Sequence, residues 1–333
     1  MKAAYLETTG APDVLRYGEL PAPEPKPGEV RVKVLAASVN PIDTYIRSGM
    51  VAANLPKPFI PGCDLAGVVD TVGPGVTRLR VGDRVWGANQ GILGRQGTFA
   101  EYACVGEQWL YPTPAGVSDE QAAACALVGI TAHLGLFQFA NLKAGETVFV
   151  NGGTGGVGSM VVQIAKSAGA KVVTTVGSDE KAATARGLGA DAVINYKTED
   201  VAAKVKEATG GGGIHVWYET LPPSDLDATV ALMAPRGRVV VMAGRNARPA
   251  FPNGPFYVKG LSLYGFAMFN MTADEQRVCG LDLAQLMAQS KLKAVVGRRF
   301  SLAEAASAHR LQEENTLHKA GTLTGKIVIL PHG

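Results

Sequence analysis

Three glycines, Gly153, Gly155 and Gly158, stand in the order G-x-G-x-x-G. At this spacing a chain can wrap the pyrophosphate of a dinucleotide. A β-branched run at 147–150 leads into them. Behind them Val157, Met160, Val161, Ile164, Ala165 and Ala168 recur three and four apart, as on one face of a helix. In that strand–turn–helix context Gly153 permits the tight turn, and Gly155 lets the pyrophosphate approach the backbone. Gly158 lets the helix lie close on its strand. Thr154, Gly156 and Val157 complete the turn, and the free N–H groups of the helix start face the phosphates. The alternative is a merely structural glycine turn.

Such a turn works only when a sheet and its helices hold it. Helical spacing runs through 121–127 and on through 132–139. Strand-like runs then follow at 147–150, 171–176, 192–195, 214–218, 238–242 and 261–264, with helical stretches between most of them. This β-α-β rhythm implies an α/β fold, a doubly wound parallel sheet covered on both faces. Before residue 120 the pattern differs. Residues 30–36 and 65–72 read as strands, V-G-P-G-V (72–76) and V-G-D-R-V (81–85) as turns, and the proline-dense 21–27 as a connector. That is the profile of a small, β-barrel-like domain. T-G-K-I-V-I-L-P at 324–331 reads as one more strand, returning to that first domain.

At 333 residues two domains are the natural division. Apolar residues make up 47% and charged residues 18%, which suits a packed chain rather than a disordered one. A net charge of +3 with scattered basic residues argues against nucleic acid as the main partner. The start lacks the apolar core of a signal peptide, and no apolar run reads as long enough to span a bilayer. Cys63, Cys104, Cys125 and Cys279 form no C-x-x-C. A cytoplasmic protein with free thiols is expected.

Several motifs occur in order: V-x-x-x-x-V-N-P-x-D-T-Y (34–45), P-G-C-D-L-A-G-V-V (61–69) and V-G-P-G-V-x-x-L-x-x-G-D-R-V (72–85). G-E-x-V-x-V-x-G-G-x-G-G-V-G (145–158) and H-K-A-G-T-L-T-G-K-I-V (318–328) follow. Over nearly the full length the chain resembles the quinone oxidoreductase, or zeta-crystallin-like, branch of the medium-chain dehydrogenase/reductase superfamily. The resemblance implies a GroES-like, partly barrel-shaped catalytic domain (1–125 and 270–333) and a Rossmann-type dinucleotide-binding domain (126–269). It also implies an active site in the cleft between them, and a homodimer formed near 261–266.

Zinc alcohol dehydrogenases belong to the same superfamily. Aligned on the motifs, their usual ligand positions are held here by Asn40, Cys63 and Val128, and the four-cysteine lobe for structural zinc is absent between 84 and 102. One thiolate cannot hold a catalytic zinc, and His133, His215, His309, His318 and His332 are scattered. A metal-free protein is expected. At Gly177-Ser178 no acid stands where an NAD site keeps one for the ribose 2′-OH. Ser178, Lys181 and Tyr196 match positions that the resembling family uses for NADPH, so NADPH is expected over NADH. Ser178 also reads as a helix cap, and a one-residue shift would bring Asp179 near the ribose.

With no metal, the protein's task is orientation and polarisation of an acceptor. Asn40 and Tyr45 are the catalytic candidates: Asn40 as an amide donor to substrate or nicotinamide ribose, Tyr45 as a ring and a hydroxyl. Asn40-Pro41 also reads as a simple turn, and Asp43 as a structural hydrogen-bonding group. Thr131, Gly244, Phe266, Met268 and Lys326 are further candidate cofactor contacts, although aromatic packing explains the 266–269 stretch equally. Glu219-Thr220-Leu221-Pro222-Pro223 departs from the family pattern, and Arg245-Asn246-Ala247-Arg248 is unusually basic. The expected activity is NADPH-dependent reduction of quinones or related conjugated carbonyls. An enoyl-thioester reductase and an RNA-binding or structural role are the alternatives.

Overall fold

A computed structural model describes residues 1–51, 54–222 and 225–333. The chain opens with β1 (Lys2–Tyr5), β2 (Arg16–Glu19), β3 (Glu29–Val39), α1 (Pro41–Ser48) and β4 (Asp64–Val72). It continues through β5 (Arg84–Gly87), β6 (Tyr102–Gly106), β7 (Leu110–Pro112) and α2 (Asp119–His133). Strands and helices then alternate: β8 (Thr147–Asn151), α3 (Gly156–Ser167), β9 (Lys171–Val176), α4 (Asp179–Gly187), β10 (Ala192–Asn195) and α5 (Val201–Thr209). Next come β11 (Ile214–Glu219), α6 (Leu226–Leu232), β12 (Met233–Val241), α7 (Asn253–Val258) and β13 (Ser262–Gly265). The chain closes with α8 (Ala273–Ala288), β14 (Val296–Ser301), α9 (Ala305–Thr316) and β15 (Lys326–Leu330). Two compact units result, one of Met1–Leu127 with Thr272–Gly333, the other of Val128–Met271.

In the second unit six strands pair in the order β10-β9-β8-β11-β12-β13, every pair parallel. Parallel strands with both faces covered must be apolar throughout, and Val148, Phe149, Val150, Val172 and Val173 are all buried. Chain order reverses between β8 and β11. Doubly wound sheets of this order bind ligands beyond the carboxyl ends of the strands at that switch. The fold is therefore α/β with a Rossmann-type sheet.

Two segments differ from the sequence-based expectation. β12 starts at Met233 rather than 238, and its pairing with β11 shifts register between Ile214 and Val216. Pro235 and Gly237, with Arg236 at φ +61° between them, break the alternation that marks a strand. The helical spacing at 121–127 and 132–139 forms one continuous stretch. α2 runs on as a π-helix over Leu134–Phe139, so Asp119–Phe139 is long and apolar enough, by length and composition, to cross a membrane. That corrects the reading that no such run exists. Most of its apolar stretch is buried inside the protein, as in a core helix.

In the first unit the strands pair in the order β14-β15-β3-β4-β5-β7, with β6 also on β3. β3 alternates at first and is then continuously buried over its last four residues. Its register with β4 sets Ser38 opposite Asp64, and its register with β15 sets Val39 opposite Ile327. Those two registers bring Ser38, Asn40, Asp64 and Lys326 to one place.

Candidate active site

The glycine turn sits at the carboxyl end of β8. A Cβ on Gly158 would fall 2.1 Å from the Gly152 carbonyl oxygen, and one on Gly153 2.1 Å from Thr174 Oγ1. Gly155 is different: it is exposed, and a Cβ there would meet only that same carbonyl, at 3.4 Å. Two of the three glycines let the chain pack on itself, and the third leaves an open approach. Thr154 is buried, while Gly156 and Val157 are half-buried. The first turn of α3 has no side-chain cap, whereas Ser178, Asp200, Asp225 and Thr272 cap α4, α5, α6 and α8. Its amides are left for an acceptor from outside the helix, as at an anion site.

A network behind the turn holds it. Asn151 Nδ2 donates to both Glu219 oxygens at 2.9 and 3.2 Å. Thr175 Oγ1 donates to Asn151 Oδ1 at 2.6 Å and accepts from Gly152 N at 3.0 Å. Trp217 Nε1 and Leu221 N complete the shell of the buried Glu219 carboxyl, whose pKa burial pushes up. The carboxyl ends of β9, β8 and β11 are thereby tied together. Sequence reading treated Glu219 as part of a departing loop and missed this role. Pro222 lies against Gly244, which has φ +81°, and Pro223 lies outside the described residues.

At the carboxyl end of β9, Ser178 Oγ accepts from Lys181 N at 3.3 Å, so the capping role holds. Asp179 Oδ1 accepts from Asn195 Nδ2 at 3.2 Å, which engages the acid that a one-residue shift would have put on the ribose. The Tyr196 hydroxyl lies on Gly177, where a Cβ would fall 2.6 Å from it. Burial, then the nearby Lys197 charge, lowers the Lys181 pKa. Ser178, Lys181, Tyr196 and Lys197 thus gather at one edge. Lys197 was not singled out from sequence; its only signal was its place next to Tyr196.

Elsewhere in this unit, Thr131 is buried and its carbonyl accepts from Tyr218 Oη at 2.8 Å. That Tyr218 hydroxyl fills the space a Cβ on Gly135 would take. Phe266 stacks on Phe139, with ring centroids 4.5 Å apart, and Met268 is buried.

The first unit holds a buried polar cluster. Asn40 is the N-cap of α1 and is 0% exposed. Its Nδ2 donates to Asp64 Oδ2 at 2.8 Å and to Ser38 O at 3.4 Å, and its backbone N donates to Asp43 Oδ2 at 2.7 Å. Ser38 Oγ donates to Asp64 Oδ2 at 2.6 Å, and Leu127 N to Asp64 Oδ1 at 3.1 Å. Lys326 Nζ donates to Asn40 Oδ1 at 2.5 Å and to Val39 O at 2.7 Å. Burial pushes the Asp43 carboxyl up to about 7, partly offset by a hydrogen bond from Cys63. Burial likewise raises the Cys63 thiol and lowers the Lys326 ammonium.

Two expectations change here. Asn40 was expected to offer its amide to a substrate or ribose, but both amide hydrogens already have acceptors inside the unit. Lys326 was expected to contact the cofactor, but its ammonium is buried and turned to Asn40. Tyr45 lies on α1, five residues past Asn40. It is half-buried, its hydroxyl has no hydrogen-bond partner among the described residues, and burial raises its pKa. Among the described residues, no group of three or more His, Cys, Asp and Glu could hold a metal ion.

The alcohol dehydrogenase GroES-like domain family matches residues 26–115, and the zinc-binding dehydrogenase family matches 156–284. The quinone oxidoreductase of Homo sapiens is 34% identical over 331 residues, covering 99% of this chain and 98% of that protein. The chain belongs to the quinone oxidoreductase branch of the medium-chain dehydrogenase/reductase superfamily. A 2-haloacrylate reductase of a Burkholderia species is 32% identical over 99% of this chain and 98% of its own. The crystal structure of Escherichia coli quinone oxidoreductase complexed with NADPH superposes with a TM-score of 0.86. It is 29% identical and covers 99% of this chain and 100% of that one. The chain is thus an NAD(P)H oxidoreductase of the quinone oxidoreductase type, acting on a small molecule.

Proposed function

We propose that this oxidoreductase is a metal-free, NADPH-dependent reductase of quinones and related conjugated carbonyl compounds. The observation that carries the reading is the Lys326 ammonium, held on Asn40 Oδ1 inside the buried cluster of the first unit. Asn40 and Cys63 stand at positions where zinc dehydrogenases place ligands. A divalent cation does not fit beside an ammonium here: the Asn40 amide oxygen accepts from Lys326, the Asp64 and Asp43 carboxylates accept from Asn40, and the Cys63 thiol is hydrogen-bonded to Asp43.

Bound NADPH supplies the hydride. The chain's own residues bind and orient. The uncapped first turn of α3 takes the pyrophosphate, with Gly155 leaving room for it. Ser178, Lys181, Tyr196 and Lys197 take the 2′-phosphate, since two neighbouring ammonium groups attract a doubly charged anion. Tyr45 donates its unpartnered hydroxyl to the carbonyl oxygen of the acceptor, where negative charge develops as hydride arrives. Steady-state assays with NADPH and 1,4-benzoquinone or an enone test the reading; turnover is expected, and none with any such acceptor overturns it.

Lys181→Ala and Lys197→Ala should each raise KM for NADPH about tenfold while leaving KM for NADH within about twofold. Equal losses with both coenzymes would remove these lysines from the phosphate. Tyr45→Phe should lower kcat/KM for quinone about tenfold with nucleotide affinity unchanged, read by initial rates and NADPH fluorescence.

The same reading includes a homodimer formed through β13. Its support is an unpaired sheet edge that carries exposed Leu263 (39%), with Tyr257 (68%) and Val258 (75%) exposed on the preceding α7. Light scattering should give twice the chain mass, and Leu263→Lys should shift it to the monomer. A second reading, an enoyl-thioester reductase, draws on Arg245 and Arg248, both exposed just after β12. CoA esters competing with quinone would favour it.

A further inference from the structure

We propose that Lys326 is a positioning residue for the reduction: its buried ammonium fixes Asn40, and through Asn40 the first turn of α1, which carries Tyr45. The inference rests on the reading of Tyr45 as the substrate donor. It begins with a burial that needs a reason. Lys326 is 3% exposed, and an ammonium withdrawn from water is costly unless acceptors replace its hydration. An apolar side chain at the head of β15 would fill that space without this penalty.

The acceptors show what the charge does. Both lie at the junction of β3 and α1: the carbonyl of the last β3 residue, Val39, and the side-chain oxygen of the helix cap, Asn40. Because Lys326 can only donate, it forces Oδ1 of Asn40 toward itself and sends Nδ2 to Asp64 Oδ2. Flipping the amide would set an NH₂ group against an ammonium and an oxygen against a carboxylate. The Asn40 backbone N–H then meets Asp43 Oδ2, and Asp43 N returns to Asn40 O at 3.0 Å, which closes the first turn. α1 spans only eight residues, so the placement of its first turn governs the whole helix. Tyr45 lies five residues past the cap. Among the described residues its hydroxyl has no hydrogen-bond partner, so the placement of α1 sets where that hydroxyl stands.

Lys326→Met keeps length and apolar stem but removes the donor, leaving Asn40 Oδ1 and Val39 O unanswered. It should lower kcat/KM for quinone about tenfold through small misplacement of Tyr45. NADPH affinity should stay unchanged, because the proposed nucleotide contacts lie elsewhere in the chain. A double-mutant cycle with Tyr45→Phe reads the coupling. If Lys326 acts through Tyr45, the double variant is no slower than Tyr45→Phe alone. Losses that multiply would overturn the inference and leave the Tyr45 reading intact. Full activity in folded Lys326→Met would also overturn it. Full activity in Tyr45→Phe alone would instead remove the Tyr45 reading, and the inference with it. Should Lys326→Met fail to fold, Asp64→Asn replaces it in the cycle, because it loosens the other side of the same amide. The same coupling is expected, and multiplying losses there count equally against the inference.

Discussion

Alanine at position 158 is expected to cost both nucleotide binding and stability, whereas alanine at 155 should cost binding alone. The difference follows from where each new methyl would go. At Gly158 it meets the Gly152 carbonyl at 2.1 Å, so the turn must move away from α3. Overpacking against backbone destabilises by about 1–3 kcal/mol, and the amides aimed at the pyrophosphate move with the turn. At Gly155 the methyl makes only an ordinary contact with the Gly152 carbonyl, at 3.4 Å, so the fold should keep its melting temperature. The same methyl stands where the pyrophosphate must approach, and NADPH affinity should fall about a hundredfold. Thermal unfolding with and without NADPH separates the two variants. A Gly158→Ala protein that bound NADPH like the parent would contradict the assignment of this turn.

Acid should destabilise the first unit through His309. Its ring is fully buried on α9, edge-on to Phe99 with centroids 5.6 Å apart, and neither ring nitrogen has a hydrogen-bond partner among the described residues. Burial first, and the Arg47 charge second, push its pKa down to about 3. An unfolded chain takes up that proton near pH 6.5, so between about 6.5 and 3 the unfolded state binds more protons than the folded one. Stability is therefore complete above about pH 6.5 and is lost as the pH falls toward 3. The loss approaches about 5 kcal/mol, from a shift of roughly 3.5 units at 1.36 kcal/mol each. His309→Leu should flatten this part of the profile and gain about 1–3 kcal/mol at neutral pH, because it removes two unsatisfied nitrogens. Urea titrations at pH 7.5 and 5, conditions about one unit or more either side of the unfolded pKa, measure both effects. Equal slopes with pH in parent and variant would rule out His309 as the acid-sensitive group.

The sequence made the sheet and the turn legible because both rest on local signals. Glycine spacing, a β-branched run and helical periodicity each lie within a few residues, and β8 and α3 follow from them. Ser178 was legible as a cap for the same reason. What escaped was fixed by register between distant strands. Lys326 and Asn40 are 286 residues apart in the chain, and only the pairing of β15 on β3 brings them together. Alternation shows which face of a strand is buried but not which strand lies beside it. Asn40 was therefore read as pointing toward a ligand when its amide is spent on Asp64 and Lys326. The role of Glu219 was hidden likewise, since its partner Asn151 belongs to a strand 68 residues earlier.

The account stands or falls on hydride passing from a nicotinamide to an electron-poor carbonyl with an ammonium, not a metal ion, as the buried cation. Stopped-flow oxidation of NADPH by 1,4-benzoquinone, followed by nicotinamide absorbance before and after exhaustive chelation, measures this directly. The account predicts one equivalent of NADPH oxidised per quinone, at a rate unchanged by chelation. Loss of that rate on chelation, with recovery on adding zinc, would contradict it.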